Sequence, residues 1–361
     1  MTQPARCNAW LKTDTGETLG LIPFDSLAMV RDVETFDTLT LSANPNIPLL
    51  ANIALDDFTD KRITIERAGV DVGQIRTENE FFIRTVITSR NSMQFTGYSA
   101  EEMLGRRIVA YAASSTDTVA TLPADDLMKF VVTGNLGSGA DAARQLPGLT
   151  VQASVSAGPS MNKSFAHDNV LNLLNSIREY TRKAGSEIFF KMTSNGLGGW
   201  IFKTYANLVG IDRRGIGLSL SEINENFVLD GVGFDASDEV TYMYVGGAGT
   251  EAARIIGTST SAARVNLSAY NRREAFFNAS QEKTQAGADD VAEQELSRRR
   301  AQRIFSGTIV ERPNYRYGIE WDFGDILTAE QAGRAYDVMV RKVEISIDSA
   351  GERITARVEV E

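Results

Sequence analysis

Three short stretches of this chain carry residue types that could do chemistry. Gly247-Ala-Gly249-Thr-Glu-Ala252 follows an apolar run, Val240 to Val245, and fits the pattern Gly-x-Gly-x-x-Ala. Such a loop can aim backbone amides at a pyrophosphate on a helix N-terminus. Its continuation argues for a tight turn instead. Ala252-Ala-Arg-Ile-Ile256 is short and runs into Gly257-Thr-Ser-Thr-Ser-Ala262, and no second strand ending in Asp or Glu follows at the required spacing. Asp322-Phe-Gly324 spells the metal-binding triplet of a kinase, which would also need a glycine-rich loop, a strand lysine and a His-Arg-Asp loop. The one histidine, His167, is followed by Asp168 and Asn169. Having a single histidine also removes histidine clusters for zinc and most nucleophile–base pairs. We read His167 as a surface or capping residue at the start of a helix.

The acidic pairs Asp56-Asp57, Asp125-Asp126 and Asp238-Glu239 are a weak glycosidase signal, since surfaces are full of paired acids. Asp235-Ala-Ser-Asp238-Glu239 lacks the spacing and the glycine of a calcium loop. Cys7 is the sole cysteine, so no intrachain disulfide can form, and it reads as a small apolar residue. The expectation is therefore no catalytic residue, no cofactor, no metal and no enzyme. The chain has 361 residues and a formal charge of -10, with 43% hydrophobic and 23% charged residues. That length suits two or three domains. The charge argues against general nucleic-acid binding, and an acidic wall along a channel would repel DNA phosphates. The start lacks the apolar core of a secretory signal and no apolar run nears membrane-spanning length, so we expect folding in a reducing cytoplasm and no membrane insertion.

The elements that would position these residues are β-rich. Thr38 to Ser42 and Arg62 to Glu66 alternate. Phe81 to Ser89, a polar turn and Met93 to Tyr98 read as a hairpin, and Arg107 to Tyr111 as a third strand closing that sheet. Ala112 to Thr118 reads as a linker. Pro123, Asp125 and Asp126 open a short helix ending near Gly134. A longer helix is expected over 164–184, with Val170, Leu174, Ile177 and Thr181 on one face and Gly185 as its stop. A hairpin follows, Glu187 to Met192 and Trp200 to Tyr205. Residues 218–278 read as short strands, 287–304 as a second helix with arginines 298, 299, 300 and 303 complementing its dipole, and 337–359 as a closing hairpin. That last hairpin echoes the first: Phe82-Ile-Arg-Thr-Val-Ile parallels Met339-Val-Arg-Lys-Val-Glu-Ile. Two matching barrels in one chain would be a duplicated architecture.

Several stretches, taken in order, resemble siphophage tail hub (baseplate hub, Gp37-like) proteins. They are Gly105-Arg-Arg107-Ile; Asn226-Phe-Val-Leu-Asp230; Tyr242-Met-Tyr-Val-Gly-Gly247 with Arg254; Arg273-Glu274; and Tyr317-Gly-Ile-Glu-Trp-Asp-Phe-Gly-Asp325-Ile before the closing strands. Phe323-Gly-Asp325 departs from the commoner Leu-Gly-Asp. The resemblance implies a β-rich α+β fold with two β-barrel-like domains, an inserted α/β domain and one further helix. The expected divisions are 1–112, 113–205 and 206–361. It implies a homotrimeric ring between a hexameric tail tube or distal tail ring and the tail tip, part of the DNA-passage channel. The partners it implies are a distal tail protein or tube ring, a tape measure protein, and tail tip or central fibre proteins. DNA would pass without specific binding. The setting would be the virion tail, assembled in the host cytoplasm. The alternatives are a hexameric distal-tail or tube-type protein and, from another class, a nucleotide-binding enzyme using Gly247 to Gly249.

Overall fold

The structure is a computed structural model and describes residues 7–68, 75–110, 118–165, 167–217, 219–310, 312 and 314–360. Seven strands open the chain: β1 (Cys7–Lys12), β2 (Thr18–Ile22), β3 (Phe24–Asp32), β4 (Thr38–Ala43), β5 (Arg62–Ala68), β6 (Ile75–Thr88) and β7 (Met93–Tyr98). Period-two patterning drives them. Ala9 and Leu11 of β1, Leu39, Leu41 and Ala43 of β4, and Met93 and Phe95 of β7 all point into one core. Residues 107–110 do not extend this sheet as expected; Ile108 makes a single bridge, to Asn169.

The middle of the chain holds β8 (Thr118–Pro123), the helix Ala124–Asn135, β9 (Leu149–Val151), β10 (Ser160–Phe165), the helix Val170–Lys183, β11 (Ile188–Ser194) and β12 (Trp200–Ala206). β8 pairs with β10, and β9 with β12, itself paired with β11. The expected helix over 164–184 starts later. Met161 and Phe165 alternate into the core on β10, and His167, at φ 58°, breaks the chain before Asn169 caps the helix. Val170, Leu174, Ile177 and Thr181 are each fully buried, and Gly185, at φ 76°, follows the helix end. The expected linker over 112–118, with its boundary at 112, lies outside the described residues except for Thr118.

The last part holds β13 (Phe227–Asp235), β14 (Tyr242–Gly246), β15 (Ile256–Thr260), β16 (Glu274–Asn278), the helix Gln285–Arg298, β17 (Gln302–Ile309), β18 (Ile326–Gln331), β19 (Arg334–Asp348) and β20 (Gly351–Val360). The helix ends at Arg298, short of the expected 304, and Arg303 lies in β17 because that stretch pairs with β13. β14, β15 and β16 form a small sheet over this helix, with Met243, Val245, Val291 and Leu296 as its core. The helix also packs on Val170–Lys183, where Tyr180 faces Asp290. Burial and the Asp290 and Glu293 carboxylates push the Tyr180 phenol up to about 12. The folded state therefore holds this proton more tightly than the unfolded chain, whose tyrosine titrates at 10.0. Stability should be unaffected below that value and fall as pH rises from 10.0 to about 12. Tyr180→Phe should flatten this slope, read as denaturant midpoints across that window.

One 12-stranded sheet runs β13-β17-β20-β19-β3-β4-β7-β6-β5-β1-β2, with β18 beside β19. It contains two five-stranded antiparallel modules of the same strand order, β3-β4-β7-β6-β5 and β13-β17-β20-β19-β18. The match extends to local irregularities. The β6–β7 register shifts across Arg84, between Ile83 and Thr85, and the β19–β20 register shifts across Arg341, between Val340 and Lys342. A bulge of this kind bends a strand and re-aims its side chain. A left-handed residue precedes each central pairing, Asp60 at φ 65° and Gly324 at φ 82°. Their amides donate to the carbonyls of Ile83 and Val340, and the amides of Ile83 and Val340 donate to Lys61 and Asp325. The modules do not close into two barrels among the described residues, which corrects that expectation. Instead β3 of the first pairs with Lys342–Ile347 of β19 in the second, and a shared apolar core backs both.

Candidate functional site

A group of charged side chains lies where the two modules meet the middle segment. It lines a cavity of about 390 Å³. Asp37, in the turn leading into β4, is buried. One carboxylate oxygen accepts from the Asp32 amide at 3.0 Å and from Lys191 Nζ at 3.1 Å; the other accepts from Asn79 Nδ2 at 2.7 Å. Lys191 comes from β11 and lies 3.8 Å from Glu101, which also accepts from the Met192 amide. Arg31, on β3, stands 3.7 Å from Asp37 and 3.8 Å from Asp322. Its guanidinium covers the Phe323 ring at 4.4 Å and donates to the Tyr317 hydroxyl at 3.1 Å. The closing segment is thereby held against the first module.

Asp325 anchors the other wall. It is buried and accepts from the Ile211 amide at 2.7 Å and from Arg213 Nε at 2.6 Å. Burial pushes its carboxyl above the usual carboxylate range, against the pull of the Ile211 amide and Arg213. Gly210 must stay glycine here, since a Cβ would sit 2.2 Å from Asp325 Oδ1. The Asp-Phe-Gly triplet is thus a turn leading into β18, with Phe323 as the lid on Arg31 and Lys191.

A second ionic group sits at the Arg341 bulge. Arg341 Nη2 lies 2.9 Å from Glu187, at the start of β11, and Arg178 and Arg182 approach the same carboxylate at 3.7 and 3.6 Å. Each acid in these groups meets a cation or an amide, which is how buried charge is made tolerable. The arrangement joins three parts of one chain. Among the described residues no group of three or more His, Cys, Asp or Glu is placed to hold a metal ion.

The residues singled out for chemistry are dispersed. His167 is exposed on the loop before the helix, its amide bonded to Val109. The Gly247 and Ala248 amides donate to the carbonyls of Ile255 and Glu282. Of the three glycines only Gly249, at φ 98°, has a left-handed backbone; at Gly246 a Cβ would meet the Arg254 guanidinium at 2.4 Å. Asp125 is buried in a pair with Lys129 at 2.8 Å, and Glu239 pairs with Arg264. Cys7 is buried in β1.

Among the described residues, the open edges of the large sheet include that of β2 and two further stretches. β13 pairs only with β17, and Val228, Val232 and Phe234 are 52%, 46% and 56% exposed. On β6, the pairing with β5 stops at Phe82, and no described strand continues along that edge past Ile83; Ile87 there is 60% exposed. No described helix is long and apolar enough to cross a membrane.

Comparison with known proteins agrees with this architecture. No curated protein matches the sequence. Solved structures match along nearly the whole chain. The 43 kDa tail protein of prophage MuSo2 from Shewanella oneidensis is 12% identical with a TM-score of 0.57, covering 97% of this chain and 98% of its own. A tail protein from Neisseria meningitidis MC58 is 9% identical with a TM-score of 0.56, covering 98% and 97%. Prophage tail protein gp18 from Listeria monocytogenes EGD-e is 11% identical with a TM-score of 0.52, covering 97% and 94%. The fold is thus one shared with phage tail proteins. A family profile, that of the siphovirus ReqiPepy6 Gp37-like protein, matches residues 26–358. A sheet built from two like modules and held by buried ion pairs is the framework of a structural tail protein of the virion, and the chain belongs to the siphovirus ReqiPepy6 Gp37-like family.

Proposed function

We propose that the chain is the tail hub: a homotrimeric ring that joins the hexameric tail tube or distal tail ring to the tail tip and forms part of the DNA-passage channel. The observation that carries this reading is the pair of modules with one strand order and matching irregularities. Three chains would offer six near-equivalent modules to a sixfold partner and keep threefold symmetry for the tip. In this reading residues 1–112 and 206–361 bring one module each, and 113–205 is the inserted α/β domain. The distal ring or tube, the tape measure protein and the tip or central fibre proteins are the partners. The charge of -10 per chain faces the lumen and lets DNA pass without sticking.

No catalytic role is proposed, because the buried acids and cations are spent on one another. The nucleotide-enzyme alternative loses support because the Gly247 and Ala248 amides already bond to backbone carbonyls. Native mass spectrometry tests the ring. The expected species is three times the 39.4 kDa chain. A hexamer would favour a distal-tail or tube-type protein, and a monomer at every concentration would reject the hub.

A further inference from the structure

The two modules are alike in strand order but not in what covers them. In the second, the edge of β19 past the Arg341 bulge is covered by β3, and Val343 and Ile345 are 0% and 2% exposed. In the first, no described strand covers the matching edge of β6 past the Arg84 bulge. In the same way, β3 has a neighbour on each side, whereas β13, its counterpart, has one. Among the described residues β13 and this stretch of β6 are therefore unpaired, and each is the equivalent of an edge already paired inside the chain.

We propose that β13 of one copy pairs antiparallel with Thr85–Thr88 of a second copy, repeating the β3–β19 pairing across each boundary of the ring. This rests on the ring assembly proposed above and names the surface that closes it. Following the ladders, Leu27 of β3 occupies the place of Leu229 in β13, and, past the extra residue Asp230, Asp32 that of Asp235. The β3–β19 register then carries over as Thr85 with Asp235, Val86 with Phe234, Ile87 with Gly233 and Thr88 with Val232. Charge favours a second copy as the occupant. Arg84 and Arg90 flank the open stretch of β6, and Asp230, Asp235 and Asp238 flank that of β13. The antiparallel register sets Arg84 at the Asp235 end and Arg90 toward Asp230. Exposed edges with apolar side chains template pairing with another chain. An interface between two different surfaces of one chain closes into a ring when its rotation allows.

Cysteine cross-linking tests this. Val33 donates its amide to Arg341, so the next pair, Asp32 with Lys342, is not hydrogen-bonded, and neither is its equivalent Asp235 with Thr85. Such pairs have Cα atoms about 4.5 Å apart, within reach of a disulfide. The double variant Thr85→Cys with Asp235→Cys, oxidised as the assembled protein, should lose its monomer band on a non-reducing gel to dimer and closed-trimer bands. Thr85→Cys alone, Asp235→Cys alone and the off-register pair Val86→Cys with Asp235→Cys should keep the monomer band. A trimer by native mass without cross-linked bands would overturn the edge pairing and leave the ring standing. A monomer, or cross-linking by Thr85→Cys alone, would overturn the pairing together with its register, and a hexamer would overturn the ring.

Discussion

Replacing Lys191 by methionine is expected to lower the free energy of unfolding by about 3–5 kcal/mol, the cost of leaving a buried ion without its partner. Methionine keeps the apolar stem and most of the volume, so the loss reports charge and not a cavity. Asp37 and Glu101, with side chains 2% and 3% exposed, would face each other across the site that the ammonium now fills. The Arg31 guanidinium, 3.7 Å from Asp37, offsets only part of the lost 3.1 Å bond. Adding Glu101→Gln to Lys191→Met should recover part of the loss, because one of the two stranded carboxylates is gone. Urea midpoints for the parent, single and double variants check this. A single variant as stable as the parent would mean that the junction is not a clamp.

Trp321→Ala should cost a similar amount, about 3–5 kcal/mol, through the void left by a fully buried indole. The ring lies 4.9 Å from that of Tyr317, whose own ring is covered by the Arg67 guanidinium at 5.0 Å. Removing it loosens both the closing segment and its grip on the first module. Trp321→Phe should cost far less. The indole Nε1 finds no hydrogen-bond partner among the described residues, so phenylalanine sheds an unsatisfied donor whose burial costs about 1–3 kcal/mol. If alanine and phenylalanine were equally damaging in the same melts, packing would not be the cause.

Much of the sheet was legible because period-two alternation is a local signal. The hairpins at 81–98 and 337–359, and the arginine common to both, could be read directly, and that arginine is the residue each bulge sets apart. Helix limits were less legible. The break before Val170 is made by His167 in a left-handed conformation, where no glycine marks it. Beyond Arg298, Arg299 to Arg303 are mostly good helix formers that pairing with β13 overrides. The ionic junction left no trace in the sequence. Asp37, Glu101, Lys191 and Tyr317 come from four distant stretches, and ion pairs have no periodicity. The joining of the two modules through β3 and β19 was equally hidden, since no local pattern says which edges meet.

That joining dictates an order of events during synthesis. β3 leaves the ribosome early, yet its second neighbour, Lys342–Ile347, leaves near the end, and Arg31 waits for Tyr317, 286 residues later. Contacts of such separation form late and slowly. The first module must persist as a half-finished sheet with an exposed edge through most of translation, the kind of species that misassembles in crowded cytoplasm. Truncated chains lacking β19 should therefore be captured by chaperones or aggregate, because β19 is the strand that covers the open side of β3.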